Sequence, residues 1–249
     1  MIELLYIIII GFIVSLMAFI GVITLCLKPK LLNKVLLFLV ALSAGTLIGG
    51  AFFHLLPEAV EESGDPDLFT FVIVGFVLFF IMEKILHWHH CHKGTPHKHT
   101  FHYMNLVGDS VHNFIDGLVL AASFVVSIPL GLATSVAIAA HEIPQEIGDF
   151  GVLVYGGFEK KKALILNFIV ATSIVIGGIV GYFISQSVEE ATVFLLPFAA
   201  GGFIYIAATD LIPEIRKETD IRRSIMVLEV FIIGVLIMWL IKLMFHHAH

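Results

Sequence analysis

Apolar residues occupy this chain in eight long runs, at 4–27, 34–56, 68–90, 103–127, 131–155, 163–185, 192–213 and 225–245, separated by short polar loops. A helix rises about 1.5 Å per residue, so about 20 apolar residues cross the ~30 Å hydrocarbon core of a bilayer. The pattern predicts an all-α integral membrane protein of eight transmembrane helices. Met1-Ile2-Glu3 has neither the basic region nor the small-residue cleavage site of a signal peptide, so the first run reads as a retained span. Two runs carry polar groups near their middle: His112-Asn113-Phe114-Ile115-Asp116-Gly117 in the fourth and His141-Glu142-Ile143-Pro144-Gln145-Glu146 in the fifth. A charged or metal-binding side chain at that depth is costly and marks function.

Composition agrees. Of 249 residues 59% are hydrophobic and 14% charged, with mean hydropathy +1.01; a soluble domain is about a quarter charged. Residues 1–249 read as a single membrane domain set in the lipid bilayer, with no nucleic acid among its partners. Cys26 and Cys91 offer no disulfide framework. The placement of charge matters more than its sum. Lys28, Lys30, Lys34, Lys93, Lys98, Lys160, Lys161, Lys162, Arg216, Lys217, Arg222 and Arg223 fall in loops on one side, and Glu61, Glu62, Asp65, Asp67, Glu189 and Glu190 on the other. Basic loops stay cytoplasmic, so both termini are expected outside, and the membrane is read as the plasma (cell inner) membrane.

An internal repeat underlies this alternation. Ala44-Gly45 followed by His54-Leu55-Leu56-Pro57-Glu58 matches Ala200-Gly201 followed by Asp210-Leu211-Ile212-Pro213-Glu214 at a constant offset. The same offset is expected to carry span one onto six and span three onto eight. Partners stand an odd number of spans apart, so the copies are inverted. The result is a 3+2+3 arrangement in which spans 1–3 and 6–8 flank central spans 4 and 5, an architecture of transporters with a midplane site. His54 and Asp210 become symmetry mates at opposite mouths, read as transport-pathway stations for a cation; capping or snorkelling at an interface would place them equally well.

The core motifs have ligand spacing. His112 and Asp116, His141 and Gln145, and Glu142 and Glu146 are each four apart, hence on one helix face. Imidazole with carboxylate suits Zn²⁺, Mn²⁺ or Fe²⁺, and the lack of thiolate in the core argues against Cu⁺. Asn113 and Glu142 point about 100° away from the histidines that precede them. With Glu146 and Asn167 they could furnish an adjacent second site, although Asn113 and Asn167 fit interhelical hydrogen bonding as well. Asp149 stands nearer the inner end, as a guide for the ion out of the site or a partner for a cytoplasmic lysine. Pro144 should kink span five, and Gly117, Gly148 and Gly151 should allow close helix approach.

Taken together, His112-Asn113-x-x-Asp116-Gly117 and His141-Glu142-Ile143-Pro144-x-Glu146-x-Gly148-Asp149-Phe150 resemble the ZIP (Zrt/Irt-like) metal transporters, particularly their LIV-1 branch. The resemblance covers nearly the whole chain. It implies uptake of Zn²⁺ into the cytoplasm, with Mn²⁺, Fe²⁺ or Cd²⁺ as further substrates and no organic cofactor. It also implies a two-metal site: His112, Asp116, His141 and Gln145 for one ion, and Asn113, Glu142, Glu146 and Asn167 for the other. Spans one, four, five and six are expected to move against the rest, often in a homodimer. Gln145 departs from the histidine many LIV-1 members carry, which weakens the first site and admits Mn²⁺ or Fe²⁺ more readily.

The segment 91–102 and its approach are crowded with His87, His89, His90, His92, His97, His99 and His102. It reads as a cytoplasmic metal acceptor or as a solvated loop that binds metal adventitiously. The alternative function is an intramembrane zinc metalloenzyme, since His141-Glu142 begins like a His-Glu-x-x-His helix. Gln145 replaces its second histidine and Pro144 breaks the turn between them. The chain is therefore expected not to be an enzyme.

Overall fold

The computed structural model describes residues 2–64, 66–91, 98–155, 157–187 and 191–246. Among them the chain is helical, with no strand. Helix α1 is Ile2–Ser15, continued by a 3-10 stretch, Leu16–Val22, and a last turn, Ile23–Cys26. Helix α2 is Pro29–Gly50, a π-helical stretch, Ala51–Leu55, and Leu56–Ser63. Next come helices α3, Leu68–Cys91, α4, Lys98–Val126, and α5, Ile128–Tyr155. Helix α6 is Lys160–Ala171 and Ser173–Ser187. Helix α7 is Ala191–Ile206, a π stretch, Ala207–Leu211, and Ile212–Ile215, and α8 is Ile221–His246.

Six of these rods, α1, α2, α4, α6, α7 and α8, are long and apolar enough among the described residues to cross a membrane. The protein is a multi-pass integral membrane protein. In α3 the described side chains stop at Lys84, and α5 carries the polar motif inside its apolar run. Side chains such as Ile73, Ile176, Phe183 and Leu228 are exposed on the outside of the bundle, as lipid contact requires. The side chains of 85–105 lie outside the described residues, and with them the His-rich segment.

Helices α4 and α5 pack on each other at the centre. Helix α4 leans on α6 and α1, and α5 on α2 and the 3-10 part of α1, while α2 pairs with α8 and α7 with α3. Those last two crossings are built alike. A Cβ added at Gly45 of α2 would lie 2.1 Å from the Phe231 carbonyl oxygen of α8, and one at Gly234 would lie 2.5 Å from that of Leu42. On the other pair, a Cβ at Gly201 of α7 would lie 2.0 Å from the Val72 oxygen of α3, and one at Gly75 2.1 Å from that of Phe198. Only glycine permits such approach.

The two π stretches carry the same correspondence, and so does Ser15, whose Oγ donates to the Ala171 carbonyl, 156 residues on, at 3.0 Å. Each π stretch has a local cause. Pro57 and Pro213 have no N–H for the carbonyls of Phe53 and Thr209, and the helix takes in an extra residue there. The single offset expected for all three helix pairs holds for α2 with α7. For α3 and α8 it slips by three residues, since Val72 and Gly75 answer to Phe231 and Gly234. Small residues at the crossing, rather than loop lengths, set that register.

Candidate metal centre

The centre lies where α4 and α5 touch. Helix α4 is drawn close to α6 at Gly117, whose added Cβ would lie 2.1 Å from the Ile174 carbonyl oxygen. Thr134 Oγ1 donates to Ser123 Oγ at 3.0 Å between α5 and α4, and Ser43 Oγ of α2 donates to the Ala140 carbonyl at 2.5 Å. The second of these bonds holds α5 one residue before His141. Gly148 and Gly151, expected at close helix contacts, have nothing within 4 Å of an added Cβ. The face of α5 they occupy is not a crossing face.

His112 and Asp116 come from α4, His141 and Glu142 from α5, and all four are buried. One donor atom from each lies within 4.8 Å of the others. His112 Nε2 is 3.2 Å from His141 Nε2, 3.7 Å from Asp116 Oδ2 and 3.6 Å from Glu142 Oε1. His141 Nε2 is 2.9 Å from Asp116 Oδ2 and 3.6 Å from Glu142 Oε1. Metal–ligand bonds of ~2.0–2.1 Å in a tetrahedron imply ligand separations of ~3.3 Å, which these distances bracket. His141 Nδ1 donates to the Ala137 carbonyl at 3.0 Å, which turns the lone pair of Nε2 into the group. Glu142 Oε1 has no hydrogen-bond partner.

The expected ligands divide differently from the expected sets. Glu142, assigned to the second ion, stands with the histidines and Asp116. Gln145, assigned to the first, donates its amide N–H to Asp109 Oδ1 at 2.8 Å. Asn113, fully buried, donates to the same oxygen at 2.9 Å and to the Asp109 carbonyl at 3.1 Å. Asn167 of α6 donates to the Glu146 carbonyl at 3.2 Å and to its carboxylate. Asp109 was missed by sequence reasoning. Its signal is there: it lies four residues before Asn113 and seven before Asp116, along one face of an apolar helix.

The residues expected along a transport pathway lie apart from this group. His54 sits in the π stretch of α2, where Nε2 donates to the Met238 carbonyl of α8 at 2.9 Å. It lines a cavity of about 600 Å³ together with Glu58, Glu61, Glu62, Ser127 and Lys242. Asp210 is exposed in the π stretch of α7 and accepts a hydrogen bond from Thr209 Oγ1 at 3.1 Å. Asp149 is half-buried on α5.

A family model described as ZIP Zinc transporter matches residues 2–102 and 92–242 of this chain. The chain belongs to the ZIP family. This ZIP chain is 35% identical over 224 residues to Zinc transporter ZIP13 of Pongo abelii, with 82% of the chain and 66% of that protein covered. It is 32% identical over 208 residues to Zinc transporter YKE4 of Saccharomyces cerevisiae, with 71% and 60% covered. Against the Zinc transporter ZIP13 homolog of Drosophila melanogaster it is 29% identical over 282 residues, with 86% and 79% covered. It thus spans less than two-thirds of the length of the first two. The LIV-1-like motifs are compatible with these ZIP13 relatives. The family is one of zinc transporters rather than enzymes, and the buried His112, Asp116, His141 and Glu142 group is consistent with metal binding.

Proposed function

We propose that this ZIP chain moves Zn²⁺ across a membrane into the cytoplasm, with His112, Asp116, His141 and Glu142 holding the ion halfway. The observation that carries this reading is the convergence of two imidazole nitrogens and two carboxylate oxygens between buried helices, at separations suited to one tetrahedral dication. A transport site has to replace the hydration shell and still let go. Mixed nitrogen and oxygen ligands meet that need, and they admit Mn²⁺, Fe²⁺ and Cd²⁺ as competitors.

All eight rods are taken as spans, with both termini on the non-cytoplasmic face, in agreement with the one-sided basic loops; the plasma membrane is the address carried over from the sequence. Spans 1–3 and 6–8 are then inverted copies. The matched π stretches and matched glycine crossings support this. The ion comes in through the acidic cavity beside His54. A second ion rests against Asn113, Glu146 and Asn167, and Asp149 and Asp210 line the way to the cytoplasm. Movement of α1, α4, α5 and α6 against α2, α3, α7 and α8 is supported by the packing of α4 on α6 and α1, of α2 on α8 and of α3 on α7, and puts a sliding surface where α5 meets α2. A homodimer fits the family. The metalloenzyme alternative gains nothing, because Gln145 is tied to Asp109 where a second histidine would have to ligate.

Reconstitution decides the matter. Liposomes holding the full chain are expected to accumulate radioactive Zn²⁺ above empty ones, and to lose that uptake with His112→Ala or His141→Ala. No accumulation of any divalent metal tried would overturn the reading.

A further inference from the structure

We propose that Lys242 guards the outer cavity: its ammonium shares the carboxylates of Glu58, Glu61 and Glu62 until a divalent cation displaces it, so that Lys242 sets how much metal uptake demands and turns monovalent cations away. The inference rests on the transport reading above and goes beyond it, since that reading gives Lys242 no part.

Placement is the first ground. Of the fourteen Lys and Arg, twelve fall in the loops taken as cytoplasmic. The other two, Lys84 and Lys242, lie inside apolar runs. Lys84 stands near the end of α3 that leads into a basic loop. Lys242 stands near the opposite, outer end of α8, the only Lys or Arg of the sequence on that side. An ammonium in an apolar run is costly and is kept for a reason.

Geometry is the second ground. Gly45 of α2 meets Phe231 and Gly234 of α8, and further along both rods His54 Nε2 donates to the Met238 carbonyl at 2.9 Å. The two rods therefore run in the same direction. One turn beyond that bond stand Glu58 on α2 and Lys242 on α8, on the faces of His54 and Met238. Both are half-buried and line the cavity of about 600 Å³, whose acidic wall the exposed Glu61 and Glu62 complete. Three carboxylates against one ammonium leave a surplus of two negative charges, the charge of one divalent ion. That ion meets the ammonium as a like charge.

The repeat is the third ground. At the register that sets Gly75 against Gly234, Glu83 of α3 answers to Lys242. Glu83 accepts a hydrogen bond from Tyr205 Oη of α7, the helix that carries Asp210. Matched positions at the two mouths thus hold opposite charges. Inverted packing requires no such reversal. It makes the outer mouth selective and the inner one attractive to a cation.

A tethered ammonium stays at high effective concentration beside the glutamates. A monovalent ion gains no more from each carboxylate than the ammonium does, whereas a dication gains twice as much. Only the dication takes the place.

Two readouts test this on the full chain in proteoliposomes, with Zn²⁺ alone as the metal. The first needs no transport. A membrane-impermeant amine reagent, followed by mass spectrometry of the Lys242 peptide, reports displacement of the side chain. Zn²⁺ should raise that labelling several-fold, and Na⁺ at equal ionic strength should not. The second readout is uptake. Lys242→Gln should lower the half-saturating external Zn²⁺ about tenfold, the order set by unit charges a few ångström apart near a protein surface. It should also make that value climb with added NaCl. Lys242→Arg should behave as the wild type. Labelling indifferent to Zn²⁺ would overturn the proposal. So would Lys242→Gln with wild-type half-saturation and salt response, the result expected of an interfacial anchor. His112→Ala, which disturbs only the central site, should lose uptake and keep the Zn²⁺ response of labelling. Wild-type uptake in that variant would sink the transport reading, while labelling still judges Lys242.

Discussion

His141 Nε2 stands 2.9 Å from Asp116 Oδ2, across the contact between α5 and α4. The other ring nitrogen, Nδ1, donates to the Ala137 carbonyl, so in a neutral imidazole Nε2 carries a lone pair. A lone pair facing a carboxylate oxygen at that distance is repulsive unless a cation lies between them. His112 Nε2, 3.2 Å away, sharpens the conflict. A proton resolves it as a dication does, so the two compete for one place. Zn²⁺ loading should therefore release protons and weaken as pH falls, because ligands bind metal only when deprotonated. Titration of the weakly buffered protein with Zn²⁺ measures the release. His141→Ala should diminish it, and an unchanged pH on loading the wild type would contradict this account.

Glu142 Oε1 is buried and unpartnered, a cost the metal-free protein bears. Glu142→Gln removes the ionisable group and keeps the shape. Its metal-free melting temperature is expected to equal or exceed that of the wild type. Zn²⁺ at a hundred times its dissociation constant should stabilise the wild type by about 2.7 kcal/mol and the variant far less. Thermal unfolding in detergent with and without Zn²⁺ reads both effects. A variant stabilised by Zn²⁺ as strongly as the wild type would remove Glu142 from the first site.

Gly117 sets how near α4 comes to α6. An alanine there would put its Cβ 2.1 Å from the Ile174 carbonyl oxygen, which is backbone and cannot rotate away. Overpacking of this kind costs typically about 1–3 kcal/mol. Because Asp116 is the preceding residue, Gly117→Ala should lower both melting temperature and Zn²⁺ uptake. Gly151→Ala, with open space around its Cβ, should change neither.

Much of this was readable from residue order, and the exceptions have physical causes. Long apolar runs locate rods, because a helix has to span a fixed thickness. The i, i+4 spacing put His112 and Asp116 on one face and paired them with His141. What spacing could not supply was the rotation of α5 against α4, and that rotation alone sends Glu142 to the histidines and Gln145 to Asp109. Gly148 and Gly151 looked like packing positions because glycine is small, but which face meets a neighbour is a tertiary fact. Asp109 escaped notice since it falls outside the motif, although burial beside Asn113 makes it part of the same chemistry. The π stretches at His54 and Asp210 had a visible cause in Pro57 and Pro213, read only as repeat markers.

Gln145 donates to Asp109, at the position where the family resemblance puts a histidine ligand of the first ion. Gln145→His should add a nitrogen ligand there and release Asp109 from one of its amide donors. Zn²⁺ favours imidazole more than Mn²⁺ does. In a competition assay, uptake of Zn²⁺ over Mn²⁺ is expected to rise about tenfold, the equivalent of ~1.4 kcal/mol. A ratio that stays put would mean residue 145 never approaches the ion.

Pro57 produces the π stretch that holds His54. Replacing it with alanine returns an N–H to the Phe53 carbonyl and lets Ala51–Leu55 wind as an ordinary helix. Losing the extra residue of the bulge rotates the N-terminal part of α2 by about 100° against its C-terminal part. His54 would then leave the Met238 carbonyl and the cavity it lines with Glu58 and Glu62. Stability should fall, since the same rotation takes Gly45 off its crossing with α8 and Ser43 off the Ala140 carbonyl. The half-saturating Zn²⁺ applied outside should increase, whereas Pro213→Ala, acting on Asp210 in the matching π stretch, should leave that value near the wild type and slow the maximal rate. If Pro57→Ala folds and transports as the wild type does, His54 is an interfacial anchor with no part in admitting the ion.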